Sequence, residues 1–162
     1  MQQARNNYLV WSGLAAAAGA LVHIAAIFGG PAWYRFIGAT EPIIKLVERG
    51  HSFPVVVVLV AATVLFACAL YAFSGAGLIP RLPLLRTGLV VITIALVVHG
   101  VAFIPAVILW PKAMLGAYDG DGINAILLVT NVLCFVVGMA YLLGTRAAWA
   151  GLSVRQLKRE NA

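Results

Sequence analysis

Four long stretches of the chain carry no formal charge, and they constrain its fold more than any motif does. They run over about 8–28, 54–73, 87–110 and 123–143. At about 1.5 Å per residue, each is long enough as a helix to cross about 30 Å of hydrocarbon. Lipid supplies no partner for backbone N–H and C=O groups, so runs of this length predict helices that satisfy those groups internally. With 63% hydrophobic and 10% charged residues among 162, the chain has more apolar surface than a water-soluble core of its size can hide. The expected fold is therefore all-α, a polytopic four-transmembrane-helix bundle forming a single transmembrane domain over 1–162. The first run is read as a retained span and not as a cleaved signal segment.

The longest polar interruption is Pro31–Pro54, and it predicts a short helix of its own over about 41–49. Thr40 suits an N-cap, Glu41 the first turn, Pro42 a position where a missing N–H costs little, and Gly50 the stop. Ile43, Ile44, Leu46 and Val47 lie opposite Lys45, Glu48 and Arg49, the pattern of a helix in the interface plane anchored by Trp33 and Tyr34. Glu41 and Lys45, four apart, suit a local ion pair. Ser52 and Pro54 repeat the cap-and-proline signal before the second span. The connection Ser74–Arg86 is short and stiffened by Pro80 and Pro83, which makes spans two and three antiparallel neighbours. The third span continues past Pro105 to Trp110 as a kinked helix. Asp119-Gly-Asp121-Gly lacks the further ligands of a calcium loop and reads as a turn. Residues 146–162 form a basic, partly helical tail.

Within the spans, small and polar residues recur at helical spacing, where close helix contact is expected. Ser12, Ala16, Gly19 and His23 form one such seam; Gly88, Ala95, His99, Ala102 and Ala106 form a second; Asn124, Asn131 and Gly138 form a third. An imidazole in hydrocarbon is costly without a partner, so His23 and His99 point to a site. By depth, both fall in the half of the bilayer nearer the 41–49 helix, with His51 at its surface. The candidate ligand-binding residues are thus His23, His51, His99, Glu48 and Asn131, with Arg35 as a grip for a lipid phosphate. The structural alternative is that the histidines and Asn131 only tie helices together. Three histidines also suit zinc, copper or iron, yet no two share a helix at ligand spacing, so no metal ligand is assigned and the cofactor is left open.

The net charge of +6 sits in loops and tail, which speaks for lipid headgroup contact and against nucleic acid. Cys68 and Cys134 lie inside apolar runs without CxxC spacing and read as packing residues. There is no GxSxG, P-loop or HExxH, and no acid within a span, so serine hydrolysis, nucleotide chemistry and zincin proteolysis lack their central groups. Around the second span, WYRFIGATE and SGAGLIPRLPLLR are similar to a group of small bacterial four-span membrane proteins to which no activity is attached. The resemblance covers roughly the first two thirds of the chain and implies a bacterial inner-membrane setting, without a mechanism.

Together these features lead to a non-enzymatic binding or accessory role, with membrane lipid, a small polar ligand or a partner subunit as the bound species and a homo-oligomer as one possible assembly. A small membrane enzyme or a metal- or haem-binding redox protein using the same histidines is the alternative, and an oligomeric transporter a third. Arg5, Arg81, Arg86, Arg146, Arg155, Lys158 and Arg159 outnumber Arg35, Lys45, Arg49 and Lys112 on the opposite side, which places both termini in the cytoplasm. A tag on either terminus is then expected to resist an impermeant label in intact cells, and labelling of the C-terminal tag would invert the assignment.

Overall fold

The computed structural model describes residues 6–109 and 125–160, and the described residues form five helices with no strand. They are α1 (Asn7–Phe36), α2 (Glu41–Glu48), α3 (Phe53–Gly75), α4 (Leu85–Leu109) and α5 (Ala125–Glu160). α1, α3, α4 and α5 each contain a stretch long and apolar enough to cross a membrane, and the chain is a multi-pass membrane protein. The acidic turn after Pro111, Asn124, and the side chains of Ala106 and of the tail beyond Trp149 lie outside the described residues.

Two boundaries differ from those read off the apolar runs. The first helix does not stop near residue 28 but reaches Phe36, broken at Gly30 (φ 66°, ψ −160°) just before Pro31. Glycine tolerates that left-handed φ, and proline has no N–H to continue the ladder, so the last turn of α1 departs in a new direction and buries Tyr34. At the other end of the chain, span and tail are one helix. α5 runs from Ala125 to Glu160, because nothing between Leu143 and Arg155 is a helix breaker except the tolerated Gly144 and Gly151. α4 continues through Pro105 to Leu109, as expected.

The helices associate mainly as two pairs of consecutive spans, α1 with α3 and α4 with α5. α3 and α4, expected to be neighbours because a short loop joins them, do touch, but over a smaller area than either pair. Small residues explain the choice. Along α1, Ser12, Gly13, Ala16 and Ala20 are buried, and Gly13 and Gly19 lie against the side chains of Phe73 and Leu65 on α3. Between α4 and α5 the backbones themselves meet. A Cβ on Gly100 would stand 2.8 Å from the backbone N of Phe135, and one on Gly138 would stand 3.0 Å from the backbone N of Val97.

The pairs are tied together at the end that carries the start of α1, called here the terminal end. Leu9, Ala72, Leu85, Leu89 and Tyr141 form a buried cluster drawn from all four long helices. Asn6 Nδ2 donates to Gly144 O (2.7 Å), and the Tyr141 hydroxyl donates to Cys68 O (2.8 Å). The α3–α4 loop is pinned by Ser74, whose Oγ donates to Pro80 O (3.1 Å) and accepts from Leu82 N (3.0 Å). Toward the opposite end α4 is covered less. Beyond Thr93, no described residue of α4 is buried.

Methyl groups placed at the backbone crossing must push two helices apart, whereas one facing a flexible leucine need not. Gly138→Ala and Gly100→Ala are expected to destabilise the folded protein by about 1–3 kcal/mol. Gly19→Ala, whose new Cβ would sit 3.4 Å from a Leu65 methyl, is expected to be nearly neutral. Thermal midpoints of the purified variants in one detergent check the ranking.

Candidate functional site

α2 is amphipathic as its sequence pattern predicts: Ile44 is buried, Ile43, Leu46 and Val47 are half-buried, and Lys45, Glu48 and Arg49 are exposed. Gly50 (φ 68°) ends it, with His51 N bonding back to Leu46 O (2.9 Å). The expected caps are absent. Neither Thr40 nor Ser52 bonds a helix N–H through its side chain, because the proline after next, Pro42 or Pro54, has removed the N2 donor. His51 takes over the role at α3, its Nδ1 accepting from Phe53 N (3.1 Å), which puts any neutral-ring proton on Nε2.

The kink at Gly30 brings Arg35 over α2, where it meets both ends of that short helix. Nε lies 3.6 Å from Glu41 Oε1, and an η nitrogen lies 3.5 Å from Glu48 Oε1. Glu41 therefore pairs with Arg35 and not with Lys45 as its spacing suggested. Charge–helix logic accounts for part of this: Glu48 sits at the negative C-terminal end of α2, where a cation is needed to offset it. All three side chains are about a third to a half exposed, so water screens the pairs and each contributes little stability.

The two membrane histidines are held differently. His23 is half-buried, and its Nδ1 lies 2.8 Å from Gly19 O. A carbonyl only accepts, so Nδ1 carries the proton and Nε2 retains its lone pair. His99 is exposed and has no hydrogen-bond partner among the described residues. It lies about three turns above Gly88 on the same face of α4. At Gly88 that face packs against Tyr71 of α3, but higher up Ala95, His99 and Ala102 are all exposed. The matching stripe of α3, Phe53, Val57, Val60 and Val64, is exposed too. Above the terminal-end cluster the facing stripes of the two helices are thus uncovered, and His99 stands on one of them among apolar residues.

The antiparallel pairings Gly19 with Leu65 and Gly88 with Tyr71 bring His23 and His99 level with the same middle part of α3. They stand on helices whose backbones stay apart: among the described residues no Cα of α1 lies within 8 Å of one of α4. Asn131 is buried on α5, on the heptad stripe that carries Gly138, and is held by the protein itself. The structure therefore joins Arg35 with Glu48 and Glu41, sets His51 at the α2–α3 junction, and leaves His23, His99 and Asn131 on three separate helices. Among the described residues, no three His, Cys, Asp or Glu side chains gather as a metal-ligand set.

Sequence reasoning overlooked Glu41 as a partner of Arg35. It also overlooked a groove of about 400 Å³ between α4 and α5 near the terminal end, lined by Val90, Thr93, Ile94, Leu142, Thr145, Arg146 and Trp149. The signal was present, since Leu142, Thr145 and Trp149 recur at helical spacing, but the assignment of 146–162 to a tail concealed it. No protein-family model, curated protein or solved structure matches the chain.

An exposed ion pair of this kind supports local geometry more than stability. In a double-mutant cycle, Arg35→Ala and Glu48→Gln are expected to couple by less than about 1 kcal/mol, falling further in high salt. A coupling of several kcal/mol would show that the cluster is desolvated.

Proposed function

We propose that this protein has a non-enzymatic binding or accessory role in a bacterial inner membrane, with both termini cytoplasmic and α2 lying in the outer interface. In this reading the uncovered faces of α3 and α4 form a cleft that receives a polar group borne on an apolar body, either a lipid or a partner membrane subunit. His99 and His23 serve the deep part of the cleft, Arg35, Glu48 and His51 its mouth, and Asn131 supports it from α5. The observation that carries the reading is His99: an exposed imidazole in the middle stretch of a helix apolar enough to cross a membrane, without a hydrogen-bond partner among the described residues, on a helix face that is otherwise apolar. Ionisable groups at that depth are costly unless something meets them, and the occupant supplies the missing partner. The excess of basic residues on the terminal side supports the orientation.

A second reading, a metal- or haem-binding redox protein, draws on the same imidazoles, because Nε2 of His23 keeps its lone pair. The two part on one experiment. Protein solubilised in a mild detergent is expected to retain a stoichiometric lipid or subunit, seen by native mass spectrometry, and His99→Leu is expected to lose it without lowering the thermal midpoint. A stoichiometric metal or a haem absorption band, lost in His23→Ala, would favour the redox reading. Identical wild-type and His99→Leu preparations, both empty, would overturn the proposal.

A further inference from the structure

The groove between α4 and α5 lies toward the terminal end of the bundle and does not include His99. Its walls are Val90, Thr93 and Ile94 of α4 and Leu142, Thr145 and Trp149 of α5, so the surface facing a ligand is almost wholly apolar. At its terminal end the character changes. The Arg86 guanidinium of α4 stacks on the Trp149 ring of α5, 4.1 Å from the ring centroid, and Arg146 lines the groove beside it. Arg146 is exposed and makes no ion pair or hydrogen bond among the described residues. From Trp149 to Leu142 the groove descends about 10 Å along the helix axis, so cationic mouth and apolar shaft lie within one continuous surface.

A second observation comes from Thr145. Ser12, Thr63 and Thr93 each donate their hydroxyl to the carbonyl four residues earlier, at 2.7–2.8 Å. The Thr145 hydroxyl does not; it is buried, in a residue only 5% exposed, and has no hydrogen-bond partner among the described residues. A buried hydroxyl left unsatisfied costs about 1–3 kcal/mol, so a structure keeping one beside a groove is improved by any ligand oxygen that reaches it.

We infer that this groove is a binding site for an anionic phospholipid of the leaflet at the terminal end, with the phosphate at Arg146 and Arg86 and an acyl chain along Val90, Ile94 and Leu142. Charge complementarity selects the occupant. The segments at this end hold Arg5, Arg81, Arg86, Arg146, Arg155, Lys158 and Arg159 against a single acid, Glu160, so a zwitterionic headgroup gains less here than one of net negative charge. A guanidinium meets phosphate with two parallel donors, and a tryptophan at the hydrocarbon boundary anchors the glycerol level. Linear fit also matters: the polar contacts occupy one end of the groove only, as a lipid and not a soluble anion requires. The site stands independently of the role proposed for His99.

The test uses the full-length protein in nanodiscs of phosphatidylcholine containing a minor fraction of phosphatidylglycerol, released into mild detergent for native mass spectrometry. Wild type is expected to keep one phosphatidylglycerol per chain in preference to phosphatidylcholine. Arg146→Gln is expected to lower that bound fraction about tenfold, the effect of one lost charge-assisted contact, and Thr145→Val to lower it less. Lys45→Gln, at the far end of the bundle, is expected to retain the lipid. Thermal midpoints equal to wild type show that the groove variants still fold. Equal retention of the two lipids by wild type, or an Arg146→Gln adduct as abundant as wild type's, would overturn the assignment.

Discussion

Inside a bilayer the contact of one apolar helix with another displaces only lipid tails, so no hydrophobic gain holds helices together and close packing must do so instead. Every other feature of this bundle follows from where close packing is available. The small-residue stripe of α1 fits the side chains of α3, and Gly100 and Gly138 let the backbones of α4 and α5 meet. Those two contacts define the pairs. A single four-helix cluster around Leu9, Leu89 and Tyr141 then joins the pairs at one end, reinforced by Asn6 and the Tyr141 hydroxyl reaching backbone carbonyls on other helices.

The same rule decides which polar groups are satisfied from within. At the braced end, Ser12, Thr93 and Tyr141 find carbonyl acceptors, whereas the Thr145 hydroxyl beside the α4–α5 groove does not. Away from it the facing stripes of α3 and α4 are uncovered, and the face of α4 that packed on Tyr71 emerges with His99 upon it. There the imidazole has no hydrogen-bond partner among the described residues. Helix ends show the principle on a smaller scale: prolines at Pro42 and Pro54 remove the donors that Thr40 and Ser52 would cap, and His51 bonds the donor that remains.

How much of this was legible in advance depended on the range of the interaction. The helices, the amphipathic face of α2 and the Gly50 stop were readable because they rest on residues within one or two turns of each other. The seam of α1 was legible for the same reason, as a stripe of small residues. Reading failed where a partner lay far away in the chain. Arg35 meets Glu41 and Glu48 only because a kink at Gly30 redirects the helix end, and the i,i+4 spacing of Glu41 and Lys45 pointed elsewhere. The groove at Thr145 was invisible for a related reason: it needs α5 to continue unbroken past Leu143 and α4 to lie beside it.

Charge-free length, helical periodicity and the helix-breaking residues were enough to establish an all-helical membrane protein with a short amphipathic helix after its first span, because each acts locally or through composition. They could not say which helix lies against which, since all four long helices are apolar on every side and offer lipid and neighbour nearly the same surface. Tertiary packing made that choice, through a few close approaches at glycine. By making it, packing also decided that His23 and His99 stand at one depth on helices whose backbones stay apart.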